Sequence, residues 1–271
     1  MPKIDLNAPL YTLLFPAIRA NAAPLLSTSI MLTAANLAPE LVPMPDGQAT
    51  PEAFELATIV VVMLAWVLAE TSIAFAIYPT LLTGGVLRGY EALRRAAFPR
   101  LALFVAMQFM LMLAMLVLFV LIVGSVAAFG HPDVEGLIDD PTYPILSATS
   151  LLAVFLIGLT QPDIVLTGRL SLVSAIRWAW RARLPLALGL IAGAGPFWWA
   201  AEAVTSWADA EGPSFTGAGE VTLRFVVLTY LSVFLSMLGS VLAAITLAKT
   251  YRAVLPPDAL LEAGRVSEVF D

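Results

Sequence analysis

The chain has 271 residues, 60% hydrophobic and only 13% charged, with a mean hydropathy of +0.89 and a formal net charge of −6. Soluble domains carry about 25% charged residues, so a water-soluble globule is excluded. The absence of cysteine excludes disulfides, thiolate metal sites and cysteine nucleophiles together.

In chain order, the elements are six apolar runs, each near the roughly 20 residues that carry a helix across a bilayer core. Met1-Pro2-Lys3-Ile4-Asp5 reads as a retained terminus: Pro9, Pro16 and Arg19 interrupt the apolar stretch that a cleaved leader would need. The first span lies near residues 20–42 and is the weakest, interrupted by Pro24, Asn36 and Pro39. The second covers 56–78 and carries Glu70. A basic connection with Arg88, Arg94, Arg95 and Arg100 follows, in which Val86, Tyr90, Leu93 and Ala97 share a helical face. The third span, 101–128, contains Gln108, and an acidic loop with His131, Asp133, Glu135, Asp139 and Asp140 leads to the fourth, 143–160.

After Gln161-Pro162-Asp163 comes a second basic connection, with Arg169, Arg177, Arg181 and Arg183. Its Leu172, Val173, Ile176 and Trp180 form one face; Ser174, Arg177 and Arg181 form another. Helices of this kind lie in the membrane interface, apolar residues among acyl chains and arginines at phosphates. The fifth span, 184–201, is followed by Trp207 and ends in Trp198 and Trp199, read as aromatic anchors. The sixth covers 221–248, and a tail over 256–271 closes the chain. Residues 111–123 are continuously apolar, which argues against alternating barrel strands. The expected fold is all-α: a polytopic membrane protein with six transmembrane helices in three related hairpins, joined by interfacial amphipathic helices. A single membrane domain occupies 1–255, with a cytoplasmic tail over 256–271.

Charge sets the expected orientation. Of the 14 basic residues, all but Arg224 lie in the termini or in the connections after the second and fourth spans. The alternate connections hold acids only, among them Glu40, Asp46, Asp139, Asp140, Asp209 and Glu220. Lys and Arg stay on the cytoplasmic side, so both termini are expected there, in a bacterial cytoplasmic (inner) membrane. The arginines sit beside spans, within reach of phospholipid, and nothing supports nucleic-acid binding.

The chain also repeats itself. Leu82-Thr83-Gly84 recurs as Leu166-Thr167-Gly168, and Lys249-Thr250-Tyr251 follows at almost the same interval. Ala92-Leu93-Arg94 matches Ala175-Ile176-Arg177, and Arg100-Leu101 matches Arg183-Leu184. Pro79 and Pro162 are each expected to end the preceding span. Arg19-Ala20-Asn21 before Pro24-Leu25 resembles Arg181-Ala182-Arg183 before Pro185-Leu186. The units run over 7–81, 82–165 and 166–252, each an interfacial helix, a span, an outer loop and a returning span. Gly84 and Gly168 stand where the chain must turn sharply on leaving a span.

Residues 170–181, Leu-Ser-Leu-Val-Ser-Ala-Ile-Arg-Trp-Ala-Trp-Arg, running into the span from Leu184, carry a family resemblance. So do residues 243–252 at the last span. The chain resembles the six-span membrane domain attached to some bacterial glycerophosphodiester phosphodiesterases, and the standalone YciC-like membrane proteins. The likeness is best over 166–252 and is one of pattern. It implies six helices and a role linked to the envelope or its lipids. The soluble phosphodiesterase domain is not in this sequence, so its activity does not transfer.

Candidates for chemistry are few. His131 is the single histidine and reads as a turn residue. Within the spans, Glu70 is costly unless it faces protein or water. It reads either as part of a proton or cation path or, by default, as an interhelical hydrogen bond, with Gln108 as a candidate partner. Asp163 is expected to cap the following helix or pair with Arg169, and Gly189–Gly193 is a small-residue packing pair. Arg224 is expected to reach outward to phosphate or to pair with Glu220.

The leading expectation is a non-enzymatic inner-membrane protein of envelope or lipid organisation, or a subunit of a membrane complex, with no cofactor and no metal. Arg88, Arg94, Arg95, Arg100, Arg177, Arg181 and Arg183 would meet anionic lipid headgroups. A membrane-protein partner or a second copy is a further expectation. The alternative is a small transporter or permease-like subunit with Glu70 and Gln108 near a polar path.

Overall fold

The structure is a computed structural model and describes residues 8–41, 51–83, 98–128, 145–211 and 222–255. All secondary structure among the described residues is helical. In chain order the helices are α1 (Leu10–Ala20), α2 (Ala22–Leu41), α3 (Pro51–Thr83), α4 (Phe98–Ala128), α5 (Ile145–Ile157), α6 (Thr160–Thr167) and α7 (Leu172–Arg181). They are followed by α8 (Arg183–Gly189), a π turn (Leu190–Ala194), α9 (Gly195–Glu211) and α10 (Leu223–Val254).

Four helical stretches are long and apolar enough to cross a membrane: Val60–Leu82, Phe98–Ile122, Arg183–Ala208 and Leu223–Val254. The pair Ala148–Ile157 and Thr160–Thr167, bent by 47°, makes a fifth if it is one broken span. Leu10–Ala20 and Ala22–Leu37 are shorter apolar helices. The chain is therefore a helical protein built for a membrane.

The observed helices overrun their expected limits. At 33, 31 and 32 residues, α3, α4 and α10 exceed what a bilayer core of about 30 Å requires. Hydropathy marks where a span can enter hydrocarbon, whereas backbone hydrogen bonding continues beyond it. Pro79 does not end its helix, because α3 runs on to Thr83. Proline removes one backbone donor, but residues 73–78 are buried on all sides and keep the axis intact. Pro162 behaves differently: it falls in the first turn of α6, where the missing donor is tolerated, and the chain breaks just ahead, at Gly158 and Leu159. Pro24 likewise lies in the first turn of α2, which continues without a break through Asn36.

Successive helices pack in pairs: α2 against α3, α4 against α5, and α9 against α10. Helix α10 also contacts α1, α2, α3, α6, α7, α8 and the π turn, and so forms the centre of the bundle. From Gly239 to Ala248 every residue of α10 is buried. In lipid no water is expelled by such packing, so close van der Waals contact and polar bonds between helices hold the bundle together. Gly239 shows how close: a Cβ there would lie 2.4 Å from the Trp198 ring. Gly189 and Gly193 sit against Thr246 and Leu10, so this small-residue pair packs within the chain.

Two elbows join a short helix to a longer one. Asn21, between α1 and α2, has φ −123° and ψ 24°; Ala182, between α7 and α8, has φ −103° and ψ 24°. Gly168 closes α6 in the left-handed region at φ 69°, which a side chain would resist. The π turn leaves carbonyls out of the regular ladder. Tyr11 Oη donates to the Ala192 carbonyl, and Thr246 Oγ1 donates to the Gly189 carbonyl at 3.3 Å.

Helix α7 turns its larger apolar residues away from the rest of the protein, the side on which the sequence reading places them. Ala175 and Ala179 are its buried face, while Val173, Ile176 and Trp180 are exposed with Arg177 and Arg181. Small residues let α7 approach α5 closely, which turns the larger apolar side chains outward. The matching face proposed for Val86, Tyr90, Leu93 and Ala97 lies outside the described residues, as do Gly84 and His131.

Candidate intramembrane binding site

Polar side chains in the helices fall into two sets. In the first, the hydroxyls of Thr28, Ser29, Thr33, Thr71, Thr80 and Thr229 each donate to the carbonyl four residues earlier. These groups are satisfied inside their own helix and require no neighbour. The second set bridges helices. Ser240 of α10 donates to Glu70 Oε1 of α3 at 2.6 Å. Tyr78 of α3 donates to Gln161 Oε1 of α6 at 2.7 Å. Tyr251 of α10 donates to Asp163 Oδ1 of α6 at 2.7 Å. Thr205 of α9 and Ser232 of α10 share a hydrogen bond of 2.6 Å, and Trp198 Nε1 donates to the Ser236 carbonyl at 3.2 Å.

The first two and the last two of these bridges border a single cavity of about 750 Å³. Helices α3, α9 and α10 supply most of its lining, with contributions from α2, α4, α5 and α6. Trp66, Tyr78, Trp198 and Phe225 form aromatic wall, and Met63, Met112 and Met115 add deformable apolar surface. Glu70, Gln108 and Gln161 supply polar groups within this wall. Gln108 is only 3% exposed, and its side-chain nitrogen has no hydrogen-bond partner. A buried amide donor without a partner costs about 1–3 kcal/mol, which marks Gln108 as a strained point in the wall.

The residues selected from sequence divide accordingly. Glu70 and Gln108 line the same cavity, although the partner of Glu70 is Ser240. Asp163 does not line it. It accepts from Tyr251 and, at 3.3 Å, from Thr167, and so ties α6 to α10. Asp163 also sits inside α6 and caps no later helix; Ser171 occupies the cap position of α7. Arg177, Arg181 and Arg183 are exposed, on α7 and at the start of α8. Arg100 lies near the start of α4, where a Cβ on Gly168 would stand 3.0 Å from its Nε. Arg88, Arg94, Arg95 and Glu220 lie outside the described residues.

The tryptophans also separate. Trp199, Trp207 and Trp180 are exposed, in keeping with an interfacial place, but Trp198 is a wall of the cavity and Trp178 packs edge-on against Tyr251 at 5.7 Å. No protein-family model, curated protein or solved structure matches this chain, so its likeness to the phosphodiesterase membrane domain rests on residue pattern alone.

Sequence reasoning missed Ser240, Tyr78, Gln161 and Tyr251. Their bonds join positions separated by 170, 83 and 88 residues, and helical periodicity carries no signal over such distances. Only the placement of Tyr78 beside Pro79, and of Gln161 beside Pro162 and Asp163, set them apart in the sequence. Chemically, the cavity offers hydrogen bonds, one deep carboxylate and aromatic faces. No group of three potential metal ligands occurs among the described residues.

Proposed function

We propose that this chain is a non-enzymatic, six-span protein of a bacterial cytoplasmic membrane that binds a small amphiphilic solute between its helices, in the manner of a small transporter. One observation carries this reading: a deep carboxylate, Glu70, and an unpartnered amide, Gln108, line the same large intramembrane cavity. Costly polar groups of this kind within a membrane mark solute or ion sites. The break between α5 and α6 adds support, because it brings Gln161 to the cavity wall. Discontinuous helices beside a central site are a recurring transporter device.

The sixth span is α2, whose 20 residues reach about 30 Å as a helix. The pairs α2–α3, α4–α5 with α6, and α9–α10 are the three hairpins, and the two similar elbows favour a repeated unit. The segregated charges favour cytoplasmic termini.

The absence of cysteine makes a direct test available. Ser236→Cys, at the cavity, should react with a charged thiosulfonate reagent in membrane vesicles, whereas Leu113→Cys, on the exposed face of α4, should not. An inert Ser236→Cys in folded protein rejects a water-accessible binding cavity. Impermeant labelling of cysteines at positions 94 and 139 from the same side would reject the orientation.

A second reading concerns the surface. Arg177, Arg181 and Arg183 are exposed beside exposed Val173, Ile176 and Trp180, a combination suited to anionic headgroups above acyl chains. Replacing the three arginines by glutamine should reduce co-purification of anionic lipid; unchanged lipid content would remove this role.

A further inference from the structure

We infer that the cavity holds a neutral lipophile by its carbonyl oxygen, with the Gln108 amide as donor. The inference rests on the proposed binding role and specifies its ligand. Gln108 is 3% exposed and lines the cavity, and its Nε2 has no hydrogen-bond partner. The other carboxamides among the described residues are engaged. Asn21 and Asn36 donate to the carbonyl four residues earlier, at 3.0 and 2.8 Å, and Gln161 accepts from Tyr78. Gln108 is the exception, and it stands beside open space that an acceptor can enter. The terminal torsion of glutamine is broad, so the amide turns toward a ligand at little cost.

The form of the ligand follows from what surrounds that donor. Gln108, Leu111, Met112 and Met115 line the cavity at helical spacing, so α4 presents one polar group and then an apolar stripe reaching about 10 Å along its axis. Trp66 and Trp198 add aromatic wall. A molecule with one acceptor and a hydrophobic body meets both parts. The volume of about 750 Å³ lies within the range of about 300–1,000 Å³ typical of sites for organic molecules. A carboxylate fits poorly, because a charge leaving water needs a partner, and no lysine, arginine or histidine stands among the described residues of the lining. A cation gains nothing from an N–H donor. Membranes supply two kinds of neutral carbonyl: the ester of an acylglycerol and the ring ketone of a lipid-soluble quinone.

The experiment compares benzophenone with diphenylmethane, in which a methylene replaces the carbonyl. Both are titrated against purified full-length protein in dodecyl maltoside, a detergent without carbonyl groups, with empty micelles as the blank. Saturable binding of benzophenone, about tenfold tighter than that of diphenylmethane, is expected, with its infrared carbonyl stretch lowered from the position in micelles. Gln108→Leu should bring the two affinities together and remove the lowering. Ser236→Phe, which fills the cavity, should abolish binding of both. Each variant is first shown to be monodisperse. Equal affinities in the native chain, or a preference and a lowered stretch retained by Gln108→Leu, overturn the inference. A decyl-substituted benzoquinone and a monoacylglycerol, used as competitors, separate the two sources. Displacement by the first assigns a quinone, displacement by the second assigns a glycerolipid, and displacement by neither overturns the assignment to a lipid carbonyl. If Ser236→Cys reacts with the thiosulfonate reagent but benzophenone is not preferred, the carbonyl assignment fails and the cavity reading survives. If Ser236→Cys is inert as well, both fail.

Discussion

Glu70 and Asp163 are both carboxylates within apolar helices, yet their neighbours treat them in opposite ways. Asp163 accepts from Tyr251 and Thr167, is 7% exposed, and joins α6 to the central helix α10 away from the cavity. Glu70 accepts one hydroxyl, from Ser240, and opens onto the cavity. The first accepts from two hydroxyls on two helices; the second accepts from one and borders open space. An acidic residue in a membrane helix is thus a structural tie or a binding group according to the space beside it. Residue type alone does not distinguish them.

Mutations test this contrast through thermal unfolding in detergent. The largest effect is expected from Asp163→Ala, which strands the buried Tyr251 hydroxyl and should cost about 3 kcal/mol, read as a clear fall in Tm. A Tm equal to that of the native chain would deny Asp163 its role as a tie. Tyr251→Phe removes one end of the same bond and should cost about 1 kcal/mol. Combined with Asp163→Ala, it should add little further loss, because the shared bond is already gone; full additivity would show that the two residues act separately.

Glu70→Gln should cost less than about 1 kcal/mol, since the amide keeps an acceptor for Ser240. A loss as large as that of Asp163→Ala would erase the difference between the two acids. The smallest change is expected from Gln108→Leu, which removes an unpartnered buried donor and should be neutral or stabilising by up to about 1 kcal/mol. Substantial destabilisation would mean that the Gln108 amide has a structural partner. Stability retained while ligand binding falls is the pattern of a residue held for function.

Several features were legible before any coordinates. Runs of apolar residues marked the long helices, because hydrocarbon admits few alternatives to a helix with satisfied backbone groups. Gly168 was legible as a turn, and Glu70 and Gln108 stood out as polar residues at apolar depth. Others were not. Pro79 and Pro162 look alike in sequence, but packing around residues 73–78 carries α3 past the first, while the chain breaks ahead of the second. The sequence marked Val173, Ile176 and Trp180 as an outward apolar face of α7 but not the face that is buried: Ala175 and Ala179 permit close approach to a neighbour, whereas Ile176 and Trp180 do not.

Composition and periodicity determined on their own that this chain is helical and suited to a membrane, because those properties follow from each segment and its solvent. Tertiary structure alone decided which polar groups meet. Ser240 reaches Glu70, and Tyr251 reaches Asp163, only after α10 has packed among the other helices. The cavity likewise belongs to no segment. It is the volume left where helices carrying tryptophan, methionine and serine do not fill the space between them, and its contents follow from their assembly.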